Sequence, residues 1–168
     1  SRPSTSGNIF DYMSWAREIT GVGGVKVVPL WNGNGTVKVM IINSNGAVAD
    51  STLINKVAAS IEQKRPIGAI VTVESATPVQ INISAVLTLK AGVTITDIQS
   101  KIQSAITKYL KDIAFKQDYV SYAFIGSKIL SIDGILDYEN LAVNTDVVNV
   151  DIAENEVPIL GSLEVSTA

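Results

Sequence analysis

Between Val79 and Leu89 the chain alternates with a period of two. Val79, Ile81, Ile83, Ala85, Leu87 and Leu89 are apolar, and Gln80, Asn82, Ser84 and Thr88 stand between them. Successive side chains of a strand point to opposite faces, so a run this long commits the chain to a sheet with one dry face and one wet face. The period then changes. Beyond the break at Ala91-Gly92, Ile98, Ile102, Ala105, Ile106, Tyr109, Leu110 and Ile113 recur at helical spacing, with Thr96 and Gln99 placed as a capping box. An amphipathic helix following a one-sided strand is the pattern of an α+β layer, the helix lying on the dry face. A second helix over 121–132 ends at Asp133-Gly134. Three strands follow over 135–143, 147–152 and 160–165.

The first half repeats the theme on a smaller scale. Tyr12, Trp15, Ala16 and Ile19 share one face of a short helix over 11–19, which Gly21 is placed to stop. A strand over 25–31, a reversal at Asn32-Gly33-Asn34-Gly35 and a return strand over 36–42 read as a hairpin. Asn43-Ser44-Asn45-Gly46 is a turn by composition. Asp50 or Ser51 can cap a helix carrying Leu53, Ile54, Val57, Ala58 and Ile61, which Arg65-Pro66 ends. A strand over 69–73 closes the unit, and Thr77-Pro78 is the candidate boundary. The expected architecture is α+β in two small units, each a mainly antiparallel sheet covered on one face by helices. Residues 1–7 are expected to be a linker or cloning remnant, 8–76 a helix plus a β-β-α-β unit, and 77–168 a β-α-α-β-β-β unit.

Two absences bound the chemistry. With no cysteine there is no disulfide, thiolate nucleophile or Cys-ligated metal, and with no histidine the commonest general base and zinc ligand is missing. Carboxylate-pair hydrolysis, Ser-Lys chemistry and oxygen-ligated calcium stay open, each needing a motif. Gly21-Val22-Gly23-Gly24 follows a helix and opens a strand, the reverse of a phosphate-cradling loop. Asp133, Asp137 and Glu139 lack the calcium-loop spacing. A glycosidase needs two carboxylates facing across a cleft, and with aromatics at 6% no sugar platform accompanies the acids. Trp15 and Trp31 read as packing residues. No apolar run approaches the roughly 18 residues of a membrane helix, so the expectation is a soluble chain. Apolar residues make up 46%, mean hydropathy is +0.29 and charged residues are only 17%. That balance fits surface hidden by partners, or simply a β-rich core.

The order helix, glycine stop, hairpin carries a more specific signal. Asp11-Tyr12, Trp15-Ala16, Gly21-Val22-Gly23, Pro29-Leu30-Trp31 and Gly35-Thr36-Val37 stand in that order. They are followed by Pro66-Ile67-Gly68-Ala69 with Val71-Thr72-Val73, by the segment from Ser131 to Asp137, and by Asn144 and the segment from Glu156 to Gly161. The series resembles the baseplate J-like family, wedge proteins of contractile phage tails and related bacteriocin particles. It covers residues 11–161, and its specificity lies in the order. Family members carry a further part before the aspartate-tyrosine helix, so the resemblance implies a C-terminal fragment. It also implies a structural component of the baseplate wedge, in a virion or phage-tail-like particle assembled in the bacterial cytoplasm. Partners would be other wedge and hub proteins and further copies of the chain, with no nucleic acid, membrane or small-molecule ligand, no cofactor or metal, and no catalysis. The alternative is a tail-associated carbohydrate-binding or carbohydrate-degrading domain.

Charge supplies the candidate contact residues. All thirteen Lys and Arg and eight carboxylates lie at or before Lys128, and from Ile129 onward there are eight carboxylates and no cation. Asp137, Glu139, Asp146, Asp151, Glu154 and Glu156 are the expected acidic edge of a subunit interface. Lys101, Lys108, Lys111 and Lys116 are the expected basic face, whether for this chain's own acids or for a neighbour's.

Overall fold

The computed structural model describes residues 7–168, so all of the expected leading linker except Gly7 lies outside the described residues. The chain divides into two compact units, Ser1–Thr77 and Pro78–Ala168. The architecture is α+β in both, as expected.

The first unit opens with α1 (Ile9–Arg17). It begins two residues earlier than its apolar face suggests because Asn8 caps it. The Asn8 side chain accepts from the Asp11 amide at 2.8 Å, while the Asp11 carboxylate accepts from the Asn8 amide. Gly21, at φ 102°, turns the chain into β1 (Val22–Pro29), which pairs antiparallel with β2 (Thr36–Asn43). β1 ends before the expected Trp31 because Leu30 adopts a left-handed φ of 56°. Gly23 sits at the register shift of this pair, where a Cβ would collide with the Asn43 carbonyl. The glycine-rich run thus serves strand pairing. Asp50 caps α2 (Ser51–Glu62), after which β3 (Ile70–Ser75) lies parallel to β2. The sheet, ordered β1-β2-β3, is therefore mixed rather than mainly antiparallel. A helical crossover returns the chain to the end of the sheet it left, and that forces a parallel strand. Tyr12, Ala16, Val25, Val39, Ile41, Val57 and Ile61 form the core, with Trp15 edge-on to Tyr12 at 5.2 Å.

The second unit is built on β4 (Thr77–Leu89), whose Ile81, Ile83, Ala85 and Leu87 are buried in alternation. It is central in the sheet β6-β4-β8. α3 (Ile95–Ile113) buries Ile98, Ile102, Ile106, Tyr109, Leu110 and Ile113. Its capping box is Thr94 with Asp97, two residues before the expected pair. β5 (Tyr119–Val120) leads into α4 (Tyr122–Leu130), capped by Ser121. β6 (Ile135–Val143) has its expected bounds and runs antiparallel to β4. The next expected strand shrinks to β7 (Val150–Asp151), which pairs with β5 as a separate two-stranded sheet. The last one extends to twelve residues as β8 (Glu156–Thr167). Tyr109 ties the layers together, its hydroxyl accepting from the Ser121 amide at 2.9 Å.

Candidate assembly surfaces

Residues directly opposite in an antiparallel pair share a face, which places the expected acidic edge. Asp137 lies opposite Thr88 and Glu139 opposite Val86, on the face of β4 away from the core. Asp151 is exposed on β7. Asp146 closes the turn after β6 and accepts from the Val147 amide at 2.7 Å. Glu154 and Glu156 enter β8, where Glu156 accepts from the Ala153 amide at 2.7 Å and Glu154 has an interaction of its own. The six are therefore divided between the outer face of the β6-β4-β8 sheet, the small β5-β7 sheet, the turn after β6 and the entry to β8.

Three of the four lysines act on other acids. Lys108 pairs with Asp112 one turn along α3 at 2.7 Å, and that hydrogen bond holds the Asp112 carboxyl below its ordinary pKa. Lys116 adds to the same field, and Lys101 acts on Asp97 and Asp133. Lys111 is exposed in the last turn of α3. Among the described residues, none of Asp137, Glu139, Asp146, Asp151 and Glu156 forms an ion pair. Asp133, which sequence groups with Asp137 and Glu139, instead pairs with Lys90 at 2.8 Å, and this lowers its pKa. No group of three acids among the described residues is placed to hold a metal. Three hollows inside the units each have a single carboxylate in their lining: Glu164, Asp50 and Glu18.

Sequence reasoning missed the apolar surface. Leu30, Trp31, Ile67 and Ile70 are exposed at one end of the first unit's sheet, Ile67 completely. The hairpin loop and the turn before β3 adjoin there, the Ile70 amide donating to the Gly35 carbonyl at 2.8 Å. Thr36 braces the loop by donating to the Gly33 carbonyl at 2.7 Å, and the Lys38 ammonium sits 4.3 Å from the Trp31 ring centroid. Phe10 on α1 is also 78% exposed. The available signal was an apolar residue inside a turn, Ile67 between Pro66 and Gly68.

Comparison with known proteins gives these surfaces a context. The family model of the Baseplate J-like central domain matches residues 4–75, and that of the Baseplate J-like protein C-terminal domain matches residues 81–166. The phage-like element PBSX protein XkdT of Bacillus subtilis is 34% identical over 171 residues, covering 98% of this chain and 49% of its own length. Baseplate protein gp47 of Escherichia phage Mu is 46% identical over 43 residues, 26% of this chain and 12% of that protein. Among solved structures, the baseplate of the anti-feeding prophage contains a chain with the same fold. Its TM-score is 0.62 at 11% identity, covering 94% of this chain and 37% of that one. The chain spans about half the length of the Bacillus relative. With both domain models matched in order over nearly its whole length, the chain belongs to the baseplate J-like family.

Proposed function

We propose that this chain is a structural part of a contractile phage-tail-like baseplate wedge and works through subunit contacts, not catalysis. The observation that carries the reading is the apolar end of the first unit. Leu30, Trp31, Ile67 and Ile70 stand outside the core on a braced loop, a turn and the start of β3 that adjoin at one end of the sheet, and exposed apolar side chains gathered in one region mark protein contact sites. In this reading the partners are other wedge and hub proteins, in a particle assembled in the bacterial cytoplasm, and membership of the baseplate J-like family supports it. The carbohydrate-active alternative requires two carboxylates facing across a cleft, and the hollows with one carboxylate each lend it no support.

The test is incorporation into particles. Ile67→Asp combined with Ile70→Thr is expected to leave the melting temperature of the full-length protein within error, since both side chains are already exposed. The variant should be absent from purified tail particles that contain the native protein. Normal incorporation of the variant would remove the apolar end from the contact surface. Absence of the native protein from such particles, or turnover of peptidoglycan by it, would overturn the structural reading as a whole.

A further inference from the structure

We propose that the free edge of β8 is a strand-addition site for an extended, lysine- or arginine-bearing segment of a partner protein. The inference rests on the assembly reading and adds to it the surface and the chemistry of the partner.

The sheet order β6-β4-β8 leaves two edges. A sheet edge presents a row of unpaired amides and carbonyls, which natural proteins blunt with lysine, proline, bulges or short strands. β6 is blunted. Its pairing with β4 slips twice, and Asn140 within it takes a left-handed φ of 54°. β8 is twelve residues long and carries neither lysine nor arginine; its one proline, Pro158, stands near its start. From Ile159 to Thr167 the sequence ILGSLEVST contains no lysine, arginine or proline, and Glu164 is its one charged residue. Leu160, Leu163 and Val165 pack against the core and anchor the strand, while Ser162, Glu164 and Ser166 are exposed. Its register against β4 is pinned from the outer face. The Asn82 side chain accepts from the Ser162 amide at 2.9 Å, and Gly161 gives that side chain room where any Cβ would collide with it. A long, anchored edge free of lysine and, beyond Pro158, of proline is the template that strand-adding peptides use.

Charge selects the occupant. Glu164 lines a hollow of about 640 Å³ together with Ser84, Val86, Asn140 and Ser166. Asp137 and Glu139 lie opposite Thr88 and Val86 on that outer face. Among the described residues, neither they nor Glu164 has an ion-pair partner. A second copy of β8 would bring another cation-free acidic segment to the same edge, and like-charge juxtaposition disfavours that pairing. A basic strand meets no such repulsion. Its backbone would supply the ladder, and alternate cationic side chains would face Glu164 and the field of Asp137 and Glu139.

The test uses the intact chain and two ten-residue peptides, one alternating lysine with threonine and valine, the other its glutamate twin. At low salt the lysine peptide is expected to bind, to slow amide exchange across residues 159–167, and to bind more weakly as salt is added. Glu164→Lys, at an exposed position, should keep the native melting temperature and reverse the preference toward the glutamate peptide. The loss for the lysine peptide should be on the order of tenfold. Binding without slowed exchange in β8, equal binding of the two peptides, an unreversed preference in the Glu164→Lys chain, or no binding would each overturn the proposal. All four outcomes are separate from the presence of the protein in particles, which tests the assembly reading.

Discussion

Asn144 and Thr145 form the two central positions of the turn between β6 and Asp146, with φ of 51° and 64°. Val143 and Asp146 exchange both backbone hydrogen bonds across it, which makes it a two-residue reverse turn of the kind that needs left-handed residues at both positions. Asparagine tolerates that region, and Asn144 is further held by its side chain, which accepts from the Asn82 amide at 2.7 Å. A β-branched threonine does not tolerate it. Thr145→Gly is expected to stabilise the chain by about 0.5–1 kcal/mol in a denaturant titration, the relief of left-handed strain exceeding the extra chain entropy of glycine. Gly126 poses the opposite case. A Cβ there would come within 2.9 Å of the Tyr138 ring carbon Cζ, and closer still to its hydroxyl. Alanine gains about 1 kcal/mol of helix propensity, but overpacking costs roughly 1–3 kcal/mol. Gly126→Ala should therefore lower stability, and a rise in the melting temperature would show that the Tyr138 ring moves aside freely.

α3 illustrates what an element reveals of itself in sequence. Its buried stripe was legible because Ile98, Ile102, Ile106, Tyr109, Leu110 and Ile113 need only helical spacing to be recognised. Its start was not, because Thr94 with Asp97 and Thr96 with Gln99 fit the same capping pattern. The choice falls to the backbone: Gly92, at φ 80°, turns the chain so that Thr94 is the extended residue at the helix mouth. β5 and β7 escaped for a related reason, being two residues long and defined by each other. Thr94→Ala should cost about 1 kcal/mol. The same box sets a pH dependence. The Asp97 carboxyl is held below its ordinary pKa, chiefly by the Thr94 amide and then by the Thr94 hydroxyl. A carboxyl depressed in the folded state adds stability above its unfolded pKa, near 3.9, and that stability is lost as pH falls through the lower folded value. Asp97→Asn should flatten the acid limb of the stability curve below about pH 4. An unchanged limb would mean that the bond does not persist in solution.

On the scale of the molecule, the charge asymmetry was visible in composition, and so were the acids near the β8 edge. The exposed apolar end left one trace in the sequence, Ile67 inside a turn, whereas the free edge left none. The edge depends on which strands end up outermost, and strand order is a property of the sheet as a whole. The division of the chain is a different case: Thr77-Pro78 stands out in the sequence as the candidate boundary although only Ala76 separates β3 from β4. The separation lies in the cores: Ile61 and Val57 belong to one buried cluster, Ile102 and Ile106 to another. We propose that the boundary at Thr77-Pro78 is also an energetic one. Ile106→Ala removes three heavy atoms from a fully buried site, a change that costs about 2–5 kcal/mol. That loss should appear as faster amide exchange throughout residues 78–168, with exchange in residues 7–77 unaltered. Ile61→Ala should give the converse pattern. A single transition in which either substitution accelerates exchange across the whole chain to the same degree would show that the two cores unfold as one.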